Sequence, residues 1–218
     1  MNNYSQKTPW SENVILVDAD YVDRLTQHMI TNFGQMLERH IPSADFARWI
    51  DCVALDGGLA PDIEMCEKRK PQKTQVILIH GKDKTRMEAF QPSDIQTELN
   101  GKAFSDRLGE FLISAYPVED ITDGDNLLTE VLSLIVTRKE VRRVMVIPNA
   151  EDAFIYNKVR EILHGMEDQN KLITLFAMKP KTDSRSKKTN FREDILGYSL
   201  LAALGIQAEE IQEKICRS

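Results

Sequence analysis

Five short apolar runs constrain the fold of this 218-residue chain more than any other feature of its sequence. Each run is rich in Val, Ile, Leu or Phe, and none alternates cleanly between polar and apolar residues. Continuous apolar runs of this length are typical of strands that are covered on both faces of a sheet. The runs are VILVD (14–18), VILIHG (76–81), EFLISAY (110–116), RVMVIPN (143–149) and LITLFAM (172–178).

Helical patterns lie between and after these runs. Strands that alternate with helices predict an α/β fold, namely a three-layer α/β/α sandwich with a Rossmann-like, mainly parallel sheet of five strands. Residues 125–138 are apolar nearly all round, which indicates a deeply buried helix. Apolar residues recur at spacings of three and four in the other predicted helices, 21–39, 43–55, 150–164 and 191–204.

The same patterns predict how the chain is organised. We expect one domain over residues 1–218, because neither an internal repeat nor a second unit is visible. Its core is predicted at 13–178, with a helix-loop insertion at 40–75. A basic connector and a C-terminal helix are expected at 179–218.

Composition limits the classes of partner. The net charge is −6, so a nucleic-acid site would have to be a local basic patch. No apolar run approaches the roughly 18 residues that a membrane span needs. The N-terminus lacks the apolar segment of a secretion signal, and the three cysteines have no C-x-x-C spacing. We therefore expect a cytoplasmic protein that has free thiols and no membrane partner.

Carboxylates follow three of the predicted strands. Asp18 and Asp20 end the first run, Asp125 follows the third, and Asp152 follows the fourth. Ligands of open α/β sheets bind beyond the carboxyl ends of the strands, and those ends share one edge when the strands are parallel. Hard oxygen ligands prefer Mg²⁺ or Mn²⁺. The sequence therefore predicts a metal site formed by these four aspartates.

Each acid also has a structural alternative, because aspartate is a preferred N-cap of helices. Asp123 or Asp125 could cap the buried helix, and Asp152 could take part in a capping box with Asn149. Asp20 or Asp23 could cap the first helix. Asp18 is the hardest of the acids to explain as a cap, because it terminates a buried strand.

Three segments resemble the motifs of the NYN/PIN-like family of metal-dependent ribonucleases. The segment ILVDADY (15–21) matches the family's first element at Asp18 and Asp20, with Tyr21 in place of an Asn. TDGDNLL (122–128) has the Gly and Asp that open the family's middle helix, without the usual Lys. IPNAEDAF (147–154) has the second Asp and the Phe of the fourth-strand motif Ser-Gly-Asp-x-Asp-Phe, without its Ser-Gly.

The resemblance implies a PIN-like fold and cleavage of RNA that depends on Mg²⁺ or Mn²⁺. It also implies that Asp18, Asp125 and Asp152 are catalytic, with Asp20 as a further metal ligand. The departures from the motifs fit equally well a divergent relative that has lost the activity. They also fit an uncharacterised bacterial family that has this fold.

A basic connector follows the fifth strand and could contact the backbone of an RNA. In a parallel sheet this connector would leave the carboxyl edge, beside the predicted acidic site. A solvated loop is the structural alternative. Its basic residues are Lys179, Lys181, Arg185, Lys187 and Lys188, against one acid, Asp183.

Two other functional interpretations remain open. The segment DADYV (18–22) resembles the first motif of haloacid dehalogenase-like phosphatases, in which Asp18 would be the nucleophile and Asp20 the general acid/base. Such a phosphatase should have Ser or Thr at the end of its second strand, where this chain has His80.

The other interpretation is a non-enzymatic interaction protein. The final predicted helix carries Leu200, Leu201 and Leu204, and the tail IQAEEIQEKICRS (206–218) follows it. Together they could form a homodimer interface. The same leucines could equally well be ordinary core residues.

Overall fold

A computed structural model describes residues 10–61, 72–118, 124–166, 170–179 and 190–216. These residues form nine strands and six α-helices. The strands are β1 (Asn13–Asp18), β2 (Ala44–Asp45), β3 (Lys73–Gly81), β4 (Phe90–Gln91), β5 (Ala103–Asp106), β6 (Gly109–Val118), β7 (Arg143–Ile147), β8 (Leu172–Ala177) and β9 (Arg192–Ile195). The helices are α1 (Ala19–Leu37), α2 (Phe46–Asp56), α3 (Gly124–Thr137), α4 (Ala153–His164), α5 (Leu196–Ala203) and α6 (Ala208–Cys216). A short π-helix spans Ile95–Leu99.

The main sheet has seven strands in the order β5-β6-β3-β1-β7-β8-β9. All neighbours are parallel except β5, which is antiparallel to β6. The five predicted strands are therefore confirmed as β1, β3, β6, β7 and β8. The predicted count of five is wrong, because two four-residue strands, β5 and β9, extend the sheet at its edges.

Helices cover both faces of the sheet, as the apolar runs of the central strands require. Ile15 and Val17 of β1 point into one core, which also contains residues of α1, α2 and α5. Val14 and Leu16 point into a second core with α3 and α4. Successive residues of a strand alternate between the two faces, which explains why the run lacks polar positions.

The last predicted helix begins later than expected. Residues 192–195, which the helical pattern 191–204 includes, form strand β9, and the helix covers only Leu196–Ala203. Phe191 packs in the core of α3 and α4, whereas Leu196 and Leu200 pack in the other core. The apolar face of a single helix can pack on only one face of the sheet. Residues 192–195 therefore form an edge strand that leads from one face to the other, and the helix starts after it.

The C-terminal tail contains a helix that the sequence pattern did not predict. α6 lies against the end of α1 through two ion pairs, Arg39 with Glu210 and Lys214 with Glu38. Ile211 packs against the first core. Among the described residues, no helix combines the length and the apolar character that crossing a membrane requires.

Candidate functional site at the carboxyl edge of the sheet

The strand order reverses between β1 and β7, which lie side by side at the centre of the sheet. Strands β3 and β6 lie in turn on one side of β1, and strands β8 and β9 lie in turn on the opposite side, next to β7. A crevice beyond the carboxyl ends of the strands at such a reversal is where α/β folds bind ligands. Asp18 ends β1, and Asp152 lies in the loop after β7.

Asp18 caps helix α1. Its backbone is extended, with φ −77° and ψ 98°, and its Oδ1 accepts a hydrogen bond from the Tyr21 N–H at 2.9 Å. A cap is the role that the sequence favours least for Asp18, because this residue ends a buried strand. Because α1 begins at Ala19, directly after the strand, the residue at the strand end is also the residue that caps the helix.

Asp152 is itself the N-cap of α4, whereas the capping box expected from the sequence would have Asn149 as the cap and Asp152 three residues into the helix. Its Oδ1 accepts hydrogen bonds from the N–H groups of Phe154 and Ile155, at 2.8 and 3.2 Å. Both bonds end on the same carboxylate oxygen. The negative charge also faces the positive end of the helix dipole, which stabilises it.

Asp20 and Asp23 belong to an ion-pair cluster on the first turns of α1. Asp20 Oδ2 accepts a hydrogen bond from the Gly81 N–H at 2.8 Å, at the end of β3. Lys84 Nζ lies 2.7 Å from Asp23 Oδ2 and 3.9 Å from Asp20 Oδ1. Asp23 Oδ1 accepts from the Ala89 N–H at 2.8 Å. The cluster ties the loop after β3 to α1.

His80 lies beside this cluster and is 2 % exposed. Its Nδ1 is 2.9 Å from the carbonyl oxygen of Gly81, so Nδ1 carries the proton in this contact. Nε2 is buried without a hydrogen-bond partner among the described residues. Asp20 Oδ1 is also buried without a hydrogen-bonding donor. Two polar atoms near Gly81 are therefore left unsatisfied.

Tyr21, in the first turn of α1, lies close to Glu151 in the loop after β7. Burial raises the pKa of its hydroxyl to about 12, helped by the negative charge of Glu151 and opposed by Arg24. The guanidinium of Arg24 lies 5.8 Å from the centre of the Tyr21 ring and 3.6 Å from Glu151 Oε2. The Tyr21 hydroxyl is buried and has no hydrogen-bond partner in the described part of the chain.

The structure describes the side chains of three of the four predicted metal ligands. Asp18, Asp20 and Asp152 lie at the carboxyl edge, and Asp125 is the second residue of α3, although its side chain lies outside the described part. Among the described residues, no three His, Cys, Asp or Glu side chains are grouped closely enough to share an ion.

The basic connector is described only at its first residue. Lys179 follows β8 and is exposed at the carboxyl edge. The other four basic residues of the prediction, Lys181, Arg185, Lys187 and Lys188, lie outside the described residues.

Two features of the site escaped the sequence analysis. The sequence predicts no role for Lys84 and only a possible helix cap for Asp23, yet the two form an ion pair of 2.7 Å at this edge. They are 61 positions apart, so no local spacing connects them. The one available signal was that Asp23 falls on the apolar side of α1, where a charge needs a partner.

The leucines of the predicted dimer interface lie in the core. Leu200 and Leu204 are buried, and the partly buried Leu201 packs against the same core as α1 and α2. Their apolar character is therefore explained within one chain. Cys52 and Cys216 are free thiols, as expected, and Cys66 lies outside the described residues.

Comparison with known proteins places the chain in a family without an assigned activity. No curated protein and no solved structure shows significant similarity to it. One family model matches residues 7–211, which includes every described strand and the first four residues of the last helix. The chain therefore belongs to the family of unknown function DUF6621.

Proposed function

We propose that this chain is a PIN-like domain that binds Mg²⁺ or Mn²⁺ at the carboxyl edge and cleaves RNA phosphodiester bonds. The observation that carries the proposal is the convergence of three elements. The end of β1, the start of α3 and the loop after β7 reach one edge, beside the reversal of strand order. These are the positions from which the resemblance draws its acids.

The residues present fit a hard divalent cation in their chemistry. Asp20 Oδ1 is a buried carboxylate oxygen without a hydrogen-bond donor in the described part of the chain, and both cap bonds of Asp152 end on Oδ1. Asp18, Asp20, Asp125 and Asp152 would hold the cation. When bound, it would activate a water molecule and neutralise charge on the phosphate.

The chain's own groups would orient the substrate. The helix caps would hold the carboxylates of Asp18 and Asp152 at this edge when RNA binds. Phe154 is 70 % exposed two residues after Asp152, and such a ring can stack on a base. Lys179 and the basic residues after it would contact the RNA backbone.

Thermal melting with and without Mn²⁺ tests the proposal. A bound cation stabilises the folded state by mass action, so Mn²⁺ should raise the melting temperature of the wild type. Asp18→Asn and Asp125→Asn should each remove most of that rise. Asn also caps helices well, so the loss should reflect a missing charge at the site rather than a missing cap.

The matched control is Asp45→Asn. Asp45 caps α2 with the same type of hydrogen bond, from the Arg48 N–H at 3.0 Å, and lies at neither β1 nor β7. This variant should keep the full response to Mn²⁺. A wild type without any response, or a response that survives both site substitutions, would contradict the proposal.

An assay with labelled RNA then separates an active nuclease from a divergent relative. Cleavage that needs Mn²⁺ and Asp18 supports catalysis, whereas Mn²⁺ binding without cleavage supports an inactive relative. The phosphatase alternative has a different signature. It predicts a phosphoenzyme labelled at Asp18, and the position of Lys84 beside Asp20 is the observation that favours it.

A further inference from the structure

Lys84 lies between two aspartates at the edge where the cation is proposed to bind. Its Nζ is 2.7 Å from Asp23 Oδ2 and 3.9 Å from Asp20 Oδ1. Its side chain is 23 % exposed, so most of the Lys84 side chain is packed against the protein. Lys84 is thus a cation supplied by the chain itself to the acids of α1.

The two aspartates differ in how completely other groups satisfy them. Asp23 is 2 % exposed, and both of its oxygens have close partners, Lys84 and the Ala89 N–H. Asp20 Oδ2 is held by the Gly81 N–H, while Asp20 Oδ1 has no hydrogen-bond donor among the described residues and lies 3.9 Å from Lys84 Nζ. Asp20 is therefore the acid of this pair that can accept another cation.

We infer that Lys84 is an internal counter-ion that competes with the divalent cation for Asp20. The inference rests on the proposed function and adds to it a device that sets the affinity of the site. A divalent cation on Asp20 Oδ1 would lie close to the ammonium, and like charges at such distances repel strongly in a partly desolvated site.

The same geometry explains why Lys84 tunes binding rather than preventing it. The shorter contact of the ammonium is with Asp23, and that contact does not involve Asp20. When a cation binds Asp20, Lys84 can stay paired with Asp23 and turn away from Asp20. The cation then has to overcome only the weaker of the two contacts.

Titration of the melting temperature with Mn²⁺ tests this competition. In Lys84→Gln the Mn²⁺ concentration at half-maximal stabilisation should fall about tenfold, because the repelling charge is gone. This variant leaves Asp23 buried without its cation and can fail to fold for that reason. The double variant Lys84→Gln/Asp23→Asn removes both charges together and should show a smaller shift in the same direction.

The control is Lys73→Gln/Glu110→Gln, which removes another ion pair of 3.3 Å between paired residues at the opposite end of β3 and β6. It should leave the Mn²⁺ titration unchanged. Adding Asp20→Asn to the Lys84 variants should abolish the gain. An unchanged or weaker Mn²⁺ response in both Lys84 variants would overturn the inference, while a wild-type response would still support the proposed function.

The remaining outcomes separate the two proposals further. A response in the Lys84 variants but not in the wild type would uphold the competition and contradict metal binding by the native chain. No response in any variant would overturn both.

Discussion

Aspartates at the start of helices are the main feature at the scale of single residues. Besides Asp18 and Asp152, Asp45 caps α2 and Asp94 caps the π-helix, each through an N–H group three residues later. The residue type that ligates Mg²⁺ is also a preferred N-cap. An aspartate after a strand therefore has two explanations in a sequence, and the local geometry shows a cap at Asp18 and at Asp152, two of the four predicted ligands.

A second residue-scale feature is the carboxyl pair of Asp51 and Asp106. Asp51 Oδ1 is buried and has no donor among the residues that the structure describes, and a hydrogen bond between two carboxyl groups requires a proton on one of them. Burial is the largest cause that raises the pKa of Asp51 to about 7, followed by the hydrogen bond to Asp106 and its charge. Arg107 opposes the shift, and Asp45 adds to it.

The pair predicts a pH dependence of stability. Between about pH 4 and pH 7 the folded chain holds a proton on Asp51 that the unfolded chain has lost, so the free energy of unfolding should fall as the pH rises. Solvent around this half-buried pair screens the effect to about 1 kcal/mol. Urea denaturation from pH 4 to pH 8 measures it.

The variant Asp51→Asn should remove this decline and be more stable than the wild type at pH 8. Glu161→Ala, an exposed change on α4, should leave the decline intact. If the wild type and Asp51→Asn lose stability in parallel over this pH range, the pair does not share a proton.

At the scale of elements, the turn of the edge hairpin between β5 and β6 requires a glycine at position 109. Gly109 has φ +119°, and a Cβ atom there would lie 2.3 Å from the carbonyl oxygen of Gln72. That oxygen accepts the hydrogen bond of the Glu110 N–H at 2.8 Å, so it cannot move away freely. The hairpin therefore needs glycine both for its backbone conformation and for the space.

We expect Gly109→Ala to lower the free energy of unfolding by about 3 kcal/mol or more, because strain and a backbone clash act together. Gly101→Ala is the matched control, since Gly101 has φ +72° but open space around its Cβ position. It should cost about 1 kcal/mol from strain alone. Equal losses in the two variants would show that the clash relaxes.

The long elements could be predicted from the sequence, and the short ones could not. The five predicted strands are apolar on both faces, and their runs are visible without knowledge of the fold. β5 and β9 have four residues each, AFSD and REDI, with polar residues at half or more of their positions. Such segments become strands only because a neighbouring strand offers its hydrogen-bonding edge.

At the scale of the whole molecule, the sheet separates two cores, and α5 closes one of them. Leu200 is 0 % exposed and packs with residues of α1 and α2. Leu200→Ala should therefore lower the free energy of unfolding by about 2 to 5 kcal/mol through a cavity in the core. The exposed Tyr198 on the same helix is the control, and Tyr198→Ala should change stability by less than about 0.5 kcal/mol.

The dependence on protein concentration separates this core from a dimer interface. If Leu200 serves one chain, the melting temperatures of the wild type and of Leu200→Ala should not change with protein concentration. A dimer stabilised through α5 would melt at higher temperature as concentration rises. A concentration dependence that Leu200→Ala abolishes would support the dimer interface instead.

The sequence by itself determined the central parallel strands, the helices between them and the edge at which the acids collect. These features depend on local periodicity and on the rule that parallel strands end at one edge. Only the tertiary structure decided what VILVDADYVD (14–23) does with its three acids. Asp18 caps α1, and Asp20 and Asp23 share Lys84, because packing sets where the helix begins and brings together charges that are 61 and 64 positions apart.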